Sequence, residues 1–167
     1  ALIGLGLIGS SIAWAVRCDG IAREIAGHAR SATTRETALQ LGFLDSVHET
    51  AAEAARGADL VILCVPVGAM SAVAAEIAPV LAPGAIVSDV GSVKAAVIEA
   101  VGPHLPEGAA FVPAHPLAGT EHSGPESGFA TLFDNRWCIL TPAPGAPRRA
   151  IARLGEFWQR CGANVDE

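Results

Sequence analysis

A chain of 167 residues is long enough to bury one proper core, and with 51% hydrophobic against 17% charged residues it is too apolar to remain disordered. Mean hydropathy is +0.41, yet there is no run of 18 apolar residues and no charged leader ahead of an apolar stretch, so neither a membrane span nor a signal peptide is expected. A formal net charge of −6 without a basic cluster excludes nucleic acid and anionic membrane surfaces as expected partners.

The first element is a short apolar strand, Ala1-Leu2-Ile3, running into Gly4-Leu5-Gly6-Leu7-Ile8-Gly9-Ser10-Ser11 and a helix from Ile8 to Cys18. A strand, a G-x-G-x-x-G turn and a helix start in this order form a dinucleotide fingerprint. Gly4 permits the sharp turn, Gly6 removes the side chain that would meet a pyrophosphate, and Gly9 lets the helix pack close to the sheet. The backbone N–H groups and the dipole of the helix start, at Leu7 and Ile8, then supply the positive field for the phosphates.

A short strand follows at Glu24–His28, then helices at Thr33–Leu41 and Thr50–Arg56, each introduced by a Thr-x-x-Glu capping box, Thr33 with Glu36 and Thr50 with Glu53. Asp59–Val65 is apolar on both faces, as a central parallel strand is, and ends at Pro66. An alanine-rich helix at Gly68–Leu81, a strand at Ala85–Val90, a helix at Val93–Val101 and a strand at Ala110–Val112 continue the alternation. After a long polar loop come a strand at Trp137–Leu140, a stiff Pro142–Pro147 connection, an amphipathic helix at Arg148–Cys161 and a last strand before Asp166-Glu167. Such alternation predicts an α/β domain of Rossmann type, a doubly wound, mostly parallel sheet with helices on both faces. The short first strand, the absent initiator methionine and the terminal strand lead to the expectation that residues 1–167 are one dinucleotide-binding domain, truncated at both ends.

The four cysteines, Cys18, Cys64, Cys138 and Cys161, lack the close pairing of a metal site and read as small buried hydrophobes in a reducing cytoplasm; no metal is expected. The residues after the second strand bear on the cofactor. An NAD site usually places an acidic residue there for the adenosine ribose, whereas this chain has Ala29, Arg30 and Ser31. Arg30 can pair with a 2′-phosphate, and the Ser31, Thr33 and Thr34 hydroxyls can donate to one, so NADP is favoured over NAD. Arg30 lying over the adenine ring, which both cofactors carry, or standing solvated at the helix entry, is the competing reading. Val65 and Pro66, at the end of the most strand-like segment, are further expected cofactor contacts.

Chemistry is expected in two loops at the carboxyl ends of neighbouring strands, where ligands bind in such sheets. One is Asp89-Val90-Gly91-Ser92-Val93-Lys94; the other runs from Pro113 to Gly124. His115 is the best general acid/base candidate of the five histidines, because imidazole titrates near neutrality and this one follows directly on a strand end in the company of Ser92, Thr120 and Glu121. His28, His48, His104 and His122 lack such company and read as structural.

The glycine fingerprint, Val65-Pro66-Val67, Asp89-Val90-Gly91-Ser92-Val93-Lys94, His115-Pro116-Leu117-Ala118-Gly119-Thr120-Glu121-His122-Ser123-Gly124 and Ile139-Leu140-Thr141-Pro142 together resemble the nucleotide-binding half of prephenate/arogenate (cyclohexadienyl) dehydrogenases of tyrosine biosynthesis. The fingerprint is shared with many dehydrogenases, whereas H-P-x-A-G-T-E-x-S-G together with D-x-G-S-V-K is specific. The resemblance implies an oxidative decarboxylase, with hydride passing to NAD or NADP and loss of CO2 aromatising the substrate ring. It implies that His115 takes the ring hydroxyl proton, that Ser92 assists or orients, and that Thr120 and Glu121 line the site. It also implies a helical second domain, absent from these residues, that dimerises and supplies an arginine for the substrate carboxylates. Two other classes remain open at this point, a different Rossmann reductase of the β-hydroxyacid dehydrogenase or pyrroline-carboxylate reductase kind, and a non-catalytic nucleotide-binding module.

Overall fold

The computed structural model describes all of residues 1–167. Six strands, β1 (Leu2–Ile3), β2 (Ala26–His28), β3 (Ser46–His48), β4 (Leu60–Leu63), β5 (Ile86–Asp89) and β6 (Ala110–Phe111), form one parallel sheet in the order β3-β2-β1-β4-β5-β6. This is the expected doubly wound order, and its direction reverses between β1 and β4, where a crevice opens at the carboxyl edge.

Successive side chains of a strand point to opposite faces, and the central strands are apolar on both. Leu2, Ile62 and Ile86 enter one core, whereas Ile3, Val61, Leu63 and Val87 enter the other. The first core lies under α1 (Leu7–Cys18), α2 (Ala32–Leu41) and α6 (Arg148–Arg160), centred on Ile12, Phe133 and Trp158. The second lies under α3 (Ala51–Ala55), α4 (Val67–Ile77) and α5 (Lys94–Val101), around Met70, Ile77 and Val97.

The structure departs from the sequence-based expectations at several places. The cap of α2 is Ser31, whose hydroxyl accepts the Thr34 N–H at 3.4 Å, so Thr33 lies inside the helix and its capping box does not form. The Thr50/Glu53 box forms as expected. Strand β3 was not anticipated, because Ser46-Val47-His48 has a single apolar residue and gains its strand character from pairing with β2. A second sheet of three strands, β7 (Ala114–Pro116), β8 (Trp137–Leu140) and β9 (Asn164–Asp166), takes the segments after β6 out of the main sheet. Here β7 and β8 run antiparallel with His115 opposite Ile139, so His115 stands on a strand and not in a loop. Of the cysteines, Cys138 and Cys161 are buried, Cys64 is partly so, and Cys18 is exposed at the end of α1.

Candidate active site

The glycine turn is shaped by contacts on its protein side and left open on the other. Gly4 has φ +109°, and a Cβ there would overlap the Cys64 carbonyl at the end of β4; a Cβ on Gly9 would overlap the Gly4 carbonyl. Any side chain at either position therefore separates α1 from the sheet. By contrast, a Cβ on Gly6 would meet nothing within 4 Å. The first backbone bond of α1 runs from the Ser10 N–H to the Gly6 carbonyl at 2.9 Å, and no side chain caps the start. The N–H groups of Leu7, Ile8 and Gly9 precede that bond, so an uncapped helix end faces an open glycine surface. That combination suits a dinucleotide pyrophosphate.

Val65 lies beside this turn, in reach of a Cβ on Gly4, and Pro66 is the residue before α4. At the end of β2, Ala29 is buried and has no side-chain acceptor, whereas Arg30 and Ser31 are exposed at the start of α2. Arg35, not singled out in the sequence, donates to the carbonyls of Ala29 at 2.7 Å and Arg30 at 3.0 Å and so fixes the path of this loop. His28 is buried, with its Nδ1 3.1 Å from the His48 carbonyl, and His104 Nε2 lies 2.9 Å from the Ser71 hydroxyl; both behave as structural residues.

The two catalytic-candidate loops are joined by one buried group. Asp89 closes β5 with no exposed surface. Its Oδ2 accepts the Gly91 N–H at 2.7 Å and Lys94 Nζ at 2.5 Å, and its Oδ1 accepts the Ala114 N–H at 3.3 Å. Lys94 Nζ also donates to the Ala114 carbonyl at 2.6 Å. Burial pushes the Asp89 carboxyl above the usual carboxylate range and the Lys94 ammonium below its own, against the attraction between them. Ser92 is exposed on the loop between the two partners, and His115 directly follows Ala114.

The His115 side chain is half-buried; its Nδ1 is sealed from solvent without a protein partner, which leaves Nε2 as the nitrogen that can meet a ligand. Thr120 and Glu121 sit on the exposed stretch after β7, with the Thr120 hydroxyl accepting the His122 N–H at 3.2 Å and Glu121 3.5 Å from His122. Neither is bonded to His115 or Ser92. The same segment continues to Phe129, whose N–H is accepted by the Ser11 hydroxyl on α1 at 3.1 Å, so it spans from the histidine strand back to the fingerprint helix. Burial pushes the Cys64 and Cys138 thiols up to about 12, which removes thiolate chemistry from the site near neutral pH. No group of three or more His, Cys, Asp or Glu residues could hold a metal, and no helix is long and apolar enough to cross a membrane.

The chain is similar in sequence and fold to proteins of known kind. The chain is 45% identical over 99% of its length to cyclohexadienyl dehydrogenase from Zymomonas mobilis and spans 56% of that relative. Arogenate dehydrogenase from Synechocystis superposes with a TM-score of 0.90 at 30% identity, covering 99% of this chain and 57% of that one. Prephenate dehydrogenase from A. aeolicus, solved with hydroxyphenyl propionate and NAD+, superposes at 0.86 and 27% identity, covering 99% and 57%. The sequence profile of the prephenate dehydrogenase nucleotide-binding domain matches residues 12–167, a stretch that holds the Asp89–Lys94 loop and the histidine strand, and to that family the chain belongs.

Proposed function

We propose that residues 1–167 form the nucleotide-binding half of a cytoplasmic NAD(P)-dependent dehydrogenase that oxidatively decarboxylates prephenate or arogenate, giving 4-hydroxyphenylpyruvate or tyrosine. A helical half outside these residues would complete the substrate site and pair two copies as a homodimer. The observation that carries this reading is the joining of the Ser92 loop to the His115 strand at the carboxyl edge that also carries the glycine turn, within a family of this activity. A module that only bound nucleotide would need the glycines alone.

In this reading Gly4, Gly6, Leu7, Ile8 and Gly9 hold the pyrophosphate, Ala29, Arg30 and Ser31 the adenosine ribose, and Val65, Pro66 and Ser92 the path to the nicotinamide. When bound, the nicotinamide supplies a hydride acceptor. His115 Nε2 accepts the proton of the ring hydroxyl as its carbon becomes a carbonyl carbon, and the Ser92 hydroxyl orients that hydroxyl. Loss of the ring carboxylate as CO2 leaves its bonding electrons in the ring, which becomes aromatic when the carbonyl oxygen regains a proton. Thr120 and Glu121 act at the mouth, on the exposed side. The test is turnover: prephenate and arogenate are each offered to the full-length enzyme with NAD or NADP, and reduced nicotinamide is followed by absorbance. Absence of turnover with both substrates would remove the assignment.

The cofactor preference rests on Ala29 and Arg30, and it favours NADP. With no carboxylate at position 29 to repel a 2′-phosphate, NADP is expected to bind at least as tightly as NAD. Arg30 is exposed, so its charge-assisted contact should be worth about 1.5 kcal/mol, the low end for such bonds. Arg30→Ala is then expected to weaken NADP about tenfold and leave NAD nearly unchanged, as measured by fluorescence titration of this domain. Equal losses would assign Arg30 to the adenine ring.

A further inference from the structure

Where the main sheet ends, the chain faces a problem of backbone bonding. The Val112 N–H still reaches the Val87 carbonyl at 3.0 Å, but Pro113 has no N–H to continue the ladder, and the chain then leaves for the second sheet. In that sheet the Thr141 N–H bonds the Pro113 carbonyl and the Leu117 N–H bonds the Trp137 carbonyl. The alternation of an antiparallel pair, with Ala114 opposite Leu140, then turns both backbone groups of Ala114 away from β8. Asp89 takes the N–H and Lys94 takes the carbonyl. A side-chain pair thus replaces the missing ladder at the residue preceding His115.

We propose that Asp89 and Lys94 are positioning residues that fix the placement of His115 relative to Ser92, an inference that rests on the function proposed above. The pair grips the Ser92 loop through Gly91 and through Lys94 itself, and the histidine strand through both backbone groups of Ala114. Stability alone does not account for it. Buried ion pairs are commonly matched or exceeded in stability by apolar residues of similar volume, and burial here works against both charges. What an apolar pair cannot supply is one acceptor and one donor to the same residue, which fixes the position and the rotation of the strand that bears the imidazole.

The test compares Lys94→Met, Asp89→Asn and the double variant in the full-length enzyme. Lys94→Met is expected to lower kcat by about 10- to 100-fold, the size that displacement of a catalytic group by about 1 Å produces, with cofactor Kd and substrate KM within about threefold. Either single change leaves an unpaired buried charge and lowers the melting temperature; the double variant, Asp89→Asn with Lys94→Met, is expected to regain melting temperature but not kcat. In a His115→Asn background, Lys94→Met should lower kcat by less than about twofold further, since its effect acts through the imidazole. The inference is overturned by a double variant with kcat within about twofold of the parent, or by full additivity with His115→Asn. A His115→Asn enzyme that turns over normally would overturn both this inference and the function beneath it, whereas normal kcat in Lys94→Met with a dead His115→Asn would overturn this inference alone.

Discussion

His115→Asn in the full-length enzyme is expected to lower kcat by about 10²–10⁴-fold, the usual contribution of a general base, while cofactor binding and substrate KM stay near their original values. The reason lies in how the imidazole is held. Its Nδ1 is sealed inside the domain without a partner, so the other ring nitrogen alone can receive a proton, and asparagine keeps a polar group of similar size there without basicity. Ser92→Ala should cost less, about 0.5 to 1.5 kcal/mol for one neutral hydrogen bond, or roughly a 2- to 13-fold loss in kcat. If His115 only supported the fold, the variant would show a lower melting temperature and an unchanged kcat per folded molecule. Measuring both quantities on one preparation separates the two outcomes.

The sheet was legible in the sequence wherever its strands were long or apolar on both faces. Asp59–Val65 announced itself because a central parallel strand is apolar on both faces, and β4 was found inside that stretch; β5 was found inside the expected Ala85–Val90 strand. Ser46–His48 did not, since an edge strand with one apolar residue carries no periodic signal. Ser31 caps α2 in place of Thr33, with its hydroxyl over the Thr34 N–H, one turn before the Arg35 side chain that holds the carbonyls of Ala29 and Arg30.

The sequence places the candidate site in two loops at neighbouring strand ends; the structure keeps the Asp89–Lys94 loop after β5, puts His115 on β7, and joins the two through Asp89 and Lys94. The sequence places His115 in a loop because the stretch from Pro113 to Gly124 is almost wholly polar, small or proline, whereas the distant partner strand, Trp137–Leu140, makes the pairing. Lys94 was visible in the D-x-G-S-V-K sequence, five residues from Asp89, a spacing that suggests nothing by itself. Only the fold shows that the ammonium bridges a carboxylate on one strand and a carbonyl on another. Glu121 shows the converse. Its neighbours in sequence suggested a place beside the histidine, and its side chain is in fact 85% exposed.

Gly6 and Gly9 of the fingerprint should behave differently when each is changed to alanine in this domain. Gly6 has φ −85°, which any residue adopts, and a Cβ there meets no protein atom, so Gly6→Ala should fold with an unchanged melting temperature. The new methyl group stands where the pyrophosphate must approach the backbone, and overpacking of this kind costs about 1 to 3 kcal/mol, or roughly 5- to 150-fold in the affinity for NAD and NADP alike. Gly9→Ala differs, because its Cβ falls on the Gly4 carbonyl, a backbone atom that cannot swing aside. Helix α1 must then lift from the sheet and disturb the core around Ile12 and Leu2, so both the melting temperature and cofactor binding should fall. Calorimetric titration and thermal melts of the two variants read out this division. A stable Gly6→Ala protein with parental affinity would mean that the phosphates do not pass over Gly6, and the uncapped start of α1 would lose its role as their seat.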